Sequence, residues 1–349
     1  MLGGIHLLSE RQSMILSAII DDYIHSAEPI GSRSISKRGN VAFSPATIRN
    51  EMSDLEEMGY LEQPHTSAGR IPSHKGYRYY VDHLLMQGKI SNLEFDTMKT
   101  VFARRIQQME DIIQHVASIL SGLTSYTAVV LGPEVFNTTL KHIQIVPLND
   151  KNAVVIMVMN TGHVENKMIT LPSGISIGEI EKVVNLLNSK LINTPLIQFK
   201  SKLYSEISDE MKKYIRGYEE LITVVDNVMQ GDEKDRIFLS GISNMLIQPE
   251  FKDVDKVKSV MDLLNESSTL INLFTPSHGG VVVKIGVENK IQVIHHCSLI
   301  SASYSIDDKP MGTIGIIGPT RMDYAKVIGL LTYLTKHLEV SLGQWYEQK

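Results

Sequence analysis

Between residues 44 and 72 the apolar positions change period, and the rest of the chain is organised around that change. Ile48, Met52 and Leu55 recur at i, i+4 and i+7, with Met58 continuing the row, so a helix would carry them on one stripe against a core. Ser44 before Pro45 marks the start of that helix. A serine hydroxyl accepts a first-turn N–H, and proline has no N–H to leave unpaired. The opposite face carries Ala46, Arg49, Asn50 and Ser53. Gly59 supplies the left-handed residue that ends a helix, and residues 60–63 can leave as a strand. Residues 64–69, Pro-His-Thr-Ser-Ala-Gly, are turn chemistry, and Arg70-Ile71 returns as a second strand.

Upstream, Ser9 and Gln12 are spaced as a capping box, so a first helix starts there with Leu16, Ile19, Ile20 and Tyr23 on its apolar side and ends near Ala27-Glu28-Pro29. A short second helix is expected over 32–38, with Ile35 as its core residue. Three helices and a hairpin in this order are the winged variant of the helix-turn-helix. Arg and Asn on the wet face of its last helix are the side chains that read guanine and adenine bidentately.

A linking helix is expected over 76–86, with Tyr80, Leu84 and Tyr77 on one side, and a polar domain boundary at 88–92. From 93 to 123, Phe95, Phe102, Met109, Val116 and Leu123 fall seven residues apart, joined by Met98, Ile112 and Ile119. Such spacing fits a dimer seam or a long helix laid on its own domain, and Arg105 interrupts the second register. The period then changes to strand. Runs at 140–147, 153–160 and 163–171, separated by turns, predict an antiparallel meander. Helical patterns cover 177–191, 196–229 and 254–264; strands resume at 281–287, 291–295, 298–304 and 312–317, and a final helix spans 323–342. Strands, about 100 largely helical residues, then strands again predict one antiparallel sheet with a large insertion, a multidomain α+β chain.

A length of 349 residues suits two or three domains, and 43% hydrophobic with 21% charged residues is the composition of a globular protein. No apolar run is long enough for a membrane span and the first residues do not form a signal peptide, so a cytoplasmic protein without membrane partners is expected. A single cysteine, Cys297, excludes an internal disulfide and a cysteine-based zinc site. Residues 1–88 hold 8 Lys/Arg against 10 Asp/Glu, which argues against a broadly basic nucleic-acid binder. The positive charge is local: Arg33, Lys37, Arg38, Arg49, Arg70, Lys75 and Arg78 outnumber the five acids between 32 and 78. Binding through so small a patch calls for two copies and should depend markedly on salt.

Enzyme chemistry finds no footing. Gly312, Gly315 and Gly318 have the spacing neither of a dinucleotide fingerprint nor of a P-loop, and read instead as glycines of a buried strand. His163-Val164-Glu165 echoes the zinc deaminases, whose paired cysteines one cysteine cannot supply. His295 and His296, neighbours on an expected strand, would point to opposite faces and share no metal. No cofactor, metal or catalytic residue is expected.

The wording of residues 44–58, of Pro64 to Pro72 (PHTSAGRIP) and of Gly76 to Asp82 (GYRYYVD) resembles the signature of HrcA, the bacterial heat-inducible transcription repressor family. The resemblance continues through Gly241-Ile242-Ser243-Asn244, Gln248-Pro249-Glu250-Phe251 and Ile316 to Tyr324. It implies a winged helix-turn-helix over 1–88, a GAF-like antiparallel sheet domain from 89–172 and 266–349, and an inserted dimerising domain over 173–265. It also implies a homodimer on double-stranded DNA bearing the inverted repeat called CIRCE, ahead of chaperone operons, and upkeep of the active form by the GroE chaperonin. Within the winged unit we expect Arg49 and Asn50 to read bases, with Thr47 and Ser53 beside them. Ser32, Arg33, Ser44 and Lys75 are candidates for phosphate, and His65, Thr66 and Arg70 for laying the wing on DNA. Arg78 reads equally as a structural ion pair. Two rivals remain at this point: a regulator gated by a small effector in the sheet domain, and an interaction module whose winged unit binds protein.

Overall fold

The computed structural model describes residues 8–65, 69–85, 94–98, 109–132, 138–149, 151–160, 162, 164–171, 177–212, 219, 222–223, 237–275, 280–306 and 309–347. The N-terminal unit opens with helix α1, Glu10–Ser26, whose capping box is formed as expected: Ser9 accepts from the Gln12 N–H and Gln12 reaches back to the Ser9 N–H. Helix α2, Ser32–Ile35, is shorter than expected, because the chain tightens into turns from Ser36 onward. Helix α3, Pro45–Glu57, buries Ile48, Met52 and Leu55 against α1 and α2, where Ile15, Leu16, Ile19, Ile20 and Ile35 close the core. Strands β1, Leu61–Glu62, and β2, Ile71–Pro72, form an antiparallel hairpin, and Ile30 adds a bridge to Arg70 on its outer side. Helix α4, His74–Tyr79, continues as a π-turn over Tyr80–Leu84.

Helix α5, Met109–Thr124, leads into strand β3, Thr127–Leu131, all five of whose residues are buried. β3 belongs to a five-stranded sheet of order β7-β3-β10-β9-β8, antiparallel throughout, with β7 Ile237–Ser240, β8 Val281–Ile285, β9 Cys297–Ile306 and β10 Lys309–Pro319. Alternation along the strands separates two cores. Ala128, Val130, Ile300, Ala302, Ile314 and Ile316 face the side covered by α5, the N-terminal unit and the last helix, α12, Tyr324–Glu347. Val129, Leu131, Leu299 and Ile317 face the other side, covered by helices over Val254–Leu264 and Ser267–Phe274. The three spaced glycines of β10 each seat an aromatic ring: a Cβ at Gly312 would meet Tyr304, at Gly315 Phe274, and at Gly318 Tyr126. Packing, not phosphate binding, accounts for them.

Two expectations are overturned here. The strands do not form one sheet: β4, Leu140–Pro147, β5, Asn152–Met159, and β6, Val164–Thr170, make a separate three-stranded meander. Its Ile143, Val155 and Met157 share a core with Val183, Leu187 and Leu191 of the helix Ile177–Leu191 and with Phe199, Leu203 and Ile207. Residues 291–295 are not a strand but a 3-10 turn, Gln292–Ile294. His295 therefore lies in a turn, its Nε2 3.1 Å from the Asn289 carbonyl oxygen. Where the seven-residue spacing is described, over 94–98 and 109–124, its apolar side chains pack on their own chain. Met98, Ile112 and Val116 are buried in the same core as α12, and Phe95 packs edge-on against Tyr333 at 5.1 Å. Phe102, Arg105, His163, the 88–92 boundary and much of 213–236 lie outside the described residues. Among the described residues no helix is long and apolar enough to cross a membrane.

Candidate nucleic-acid interface

Helix α3 is held at both ends and at its waist. At the start, the Ser44 hydroxyl accepts from the Thr47 N–H at 3.1 Å and lies 2.9 Å from the Thr47 hydroxyl. At the finish, Gly59 takes φ +78°, a conformation costly for any residue with a Cβ. Tyr60 N–H then donates to the Leu55 carbonyl at 2.8 Å and Gly59 N–H to that of Glu56 at 2.9 Å, the paired bonds of a Schellman end. Ser73 donates to the Gly59 carbonyl at 2.6 Å. Lys75 donates to the Met58 carbonyl at 2.7 Å, with its ammonium 4.3 Å from the centre of the Tyr60 ring. At the waist, Glu51 is buried and ion-paired to Arg11 of α1. Gly76 completes the frame, since a Cβ there would run into the Tyr60 carbonyl.

So held, α3 presents Ala46, Arg49, Asn50 and Ser53 to solvent on one stripe, with Asp54 and Glu57 following toward its C-terminal end. The charge gradient orients the helix: its N-terminal half carries the cation and the amide, and its C-terminal half carries the acids. Only the first half suits an approach to a polyanion. Arg33 and Lys37, exposed at the neighbouring α2, join Arg49 as cations with no ion pair among the described residues. Ser32 is half-buried beside Arg33. Arg38 is withdrawn from this surface, bonded to the Ala18 carbonyl at 3.1 Å and paired with Asp22 at 3.2 Å.

The hairpin divides the remaining candidates. His65 is exposed at its tip, and Thr66 lies outside the described residues. Arg70 is turned inward, paired with Glu56 of α3 at 2.7 Å while its main chain exchanges both hydrogen bonds with Ile30. Arg70 thus ties hairpin to helix, and Lys75 caps the helix. Both side chains expected on DNA have intramolecular work. Arg78 is a structural ion pair, donating from Nε to Glu288 at 2.8 Å and from Nη1 to Asp82 at 3.1 Å. Lys37 was not among the expected contacts, although its place in the cationic run 33–38 was the signal for it. The Arg11–Glu51 pair had no such signal, because its halves are forty positions apart. Among the described residues no cluster of three or more His, Cys, Asp or Glu side chains could hold a metal ion.

The family model "HrcA protein C terminal domain" matches residues 110–328. The heat-inducible transcription repressor HrcA of Brevibacillus brevis is 54% identical over 342 residues, which is 98% of this chain and all of that one. The chain belongs to the HrcA family. The namesake of Bacillus pumilus is 44% identical over 343 residues, again 98% of this chain and the whole of its own. A hypothetical protein of known crystal structure aligns at a TM-score of 0.61 and 21% identity, covering 97% of this chain and 99% of its own, which supports the fold alone. HrcA proteins are named as transcription repressors, not enzymes, in agreement with the absence of catalytic motifs from the sequence.

Proposed function

We propose that this chain is a transcriptional repressor of heat-shock operons that binds the CIRCE inverted repeat as a homodimer. Residues 1–88 act as a winged helix-turn-helix. The observation that carries the reading is the capped helix α3 with Arg49 and Asn50 exposed on its N-terminal half, flanked by Arg33 and Lys37, exposed cations with no ion pair among the described residues. A helix of this polarity fits a major groove with Arg on guanine and Asn on adenine, while Arg33, Lys37, Ser32 and the α3 N-terminus around Ser44 meet phosphate. Thr47 and Ser53 flank the base-reading pair, and the tip at His65 and Thr66 lies along the backbone or in a minor groove. Two such helices separated by about 34–36 Å, or a multiple, would read the two arms of the repeat.

In this reading the five-stranded sheet is the GAF-like body, and the inserted dimerising unit takes in the three-stranded meander. Its start moves from 173 to about 139, because strands 140–170 share their core with helices 177–207. Upkeep by the GroE chaperonin and a cytoplasmic location rest on the family resemblance. A fluorescence titration of CIRCE and scrambled duplexes, at two salt concentrations with and without chaperonin, tests the reading. Selective binding that chaperonin strengthens supports it; equal, salt-sensitive binding to both duplexes refutes it. The effector-gated alternative draws on one feature, an open cavity of about 620 Å³ between α5 and β7 lined by Gln114, His115, Ser118, Phe238 and Ser240. A rise in melting temperature with a metabolite and none with chaperonin would favour it.

A further inference from the structure

The N-terminal unit is fastened to the body at two guanidinium groups on either side of a buried aromatic pair. Arg321, in the turn between β10 and α12, is only 8% exposed. Its Nη1 donates to the Ile24 carbonyl at 2.9 Å, its Nε to Glu250 at 2.5 Å and its Nη2 to Gln248 Oε1 at 2.9 Å and to Glu250 Oε2 at 3.4 Å. The Ile24 carbonyl lies in the last turn of α1, where helix carbonyls lose their own donors, and the Glu28 N–H that would have reached it goes to the Ser26 hydroxyl instead. A cation at that end also meets the negative pole of the helix. On the other side Arg78 of α4 grips Glu288 with Nε and Nη2 and donates to the Val283 carbonyl at 2.7 Å, while Glu288 accepts the Ile285 N–H. Between the clamps Tyr77 and Tyr324, both buried, pack with ring centres 5.7 Å apart.

We propose that Arg321 is a positioning residue for DNA reading, fixing the angle of α3 on the body so that two copies present their helices at one spacing. The inference rests on the DNA-reading proposal above. A guanidinium fork carried by the turn after β10 and bonded to two further segments, the end of α1 and residues 248–250, resists rotation of α1 on the body. A lysine in its place offers a compact charge without the planar fork. Simultaneous engagement of two arms multiplies affinity only while the linkage holds both modules at the required separation. Loosening Arg321 should therefore spare each module's grip on one arm and weaken the joint grip on two.

The test compares wild type, Arg321→Ala and Arg321→Lys on three duplexes: a single arm, an inverted repeat at its preferred spacing, and the same repeat with two base pairs inserted. The expected result for Arg321→Ala is single-arm affinity within about two-fold of wild type, about ten-fold weaker binding at the preferred spacing, and a flattened penalty for the insertion. Arg321→Lys should fall between the two. Unchanged spacing selectivity in Arg321→Ala, or a single-arm loss as large as the two-arm loss, overturns the proposal. A wild type that binds one arm selectively but ignores spacing overturns it and leaves base reading by α3 intact; a wild type with no sequence preference overturns both. A second readout requires no DNA. Spin labels at Glu62→Cys and Lys336→Cys, both exposed, in chains diluted with excess unlabelled protein so that only distances within one copy are read, should give one narrow distance distribution in wild type and a broad one in Arg321→Ala. Equal widths overturn the proposal.

Discussion

The waist of α3 offers a sharp stability test. Glu51 is 5% exposed, and its partner Arg11 has a side chain half open to solvent. Removing one half of a fully buried ion pair costs about 3–5 kcal/mol, because the other charge is left without compensation. Arg11 is only half-buried and water can partly replace it, so we expect Arg11→Met to cost about 2 kcal/mol. Replacing both partners by apolar groups removes the stranded charge, so Arg11→Met with Glu51→Leu should recover to within about 1 kcal/mol of wild type. The assay is urea unfolding followed by helical circular dichroism, run as a double-mutant cycle. A loss below about 0.5 kcal/mol for Arg11→Met, or a double variant no more stable than the single one, refutes the argument. In the DNA-reading proposal the pair matters because Glu51 follows Arg49 and Asn50 directly, so its anchor sets which way they face.

Arg49→Ala should cost about 1–3 kcal/mol on the operator and relax preference at one base pair; equal losses on operator and random duplex would remove its base-reading role. Lys75→Ala should lower the melting temperature of the N-terminal unit by removing the cap on the Met58 carbonyl, while leaving the salt slope of DNA binding unchanged, where a phosphate contact would flatten it. Burial, with Glu250 as a lesser cause, pushes the Cys297 thiol up to about 12 from an ordinary 9.0. The unfolded chain then releases this proton first, so the stabilisation is full below about pH 9 and is lost as pH rises toward 12. Stability measured by chemical unfolding between pH 8 and 11 should fall less steeply with pH in Cys297→Ala, and a slope equal to wild type would contradict the assignment.

The features legible in the sequence were those written locally. The Ser9 capping box, the Ser44 cap, the Gly59 stop and the apolar stripe of α3 each lie within a turn or two of chain, and each formed as read. The meander over 140–170 was legible for the same reason, its alternation and turns being contiguous. What escaped was partner choice. Nothing local tells strands 140–170 to pack on helices 177–207 instead of pairing with β3. β3 itself, five buried residues in a row, shows no alternation to announce a strand. At the candidate interface, exposure was legible for Arg49 and Asn50 from helical period. The inward turn of Arg70 to Glu56 and the capping role of Lys75 depend on the hairpin folding back onto α3, which spacing along the chain does not encode.

The most direct test of two-armed reading by α3 is a competition titration between a perfect inverted repeat and the same duplex with one arm scrambled, at a single fixed salt concentration. Two-armed reading gives at least about a hundred-fold preference for the intact repeat, with Arg49→Ala reducing affinity for it. Equal affinity for the two duplexes would contradict it.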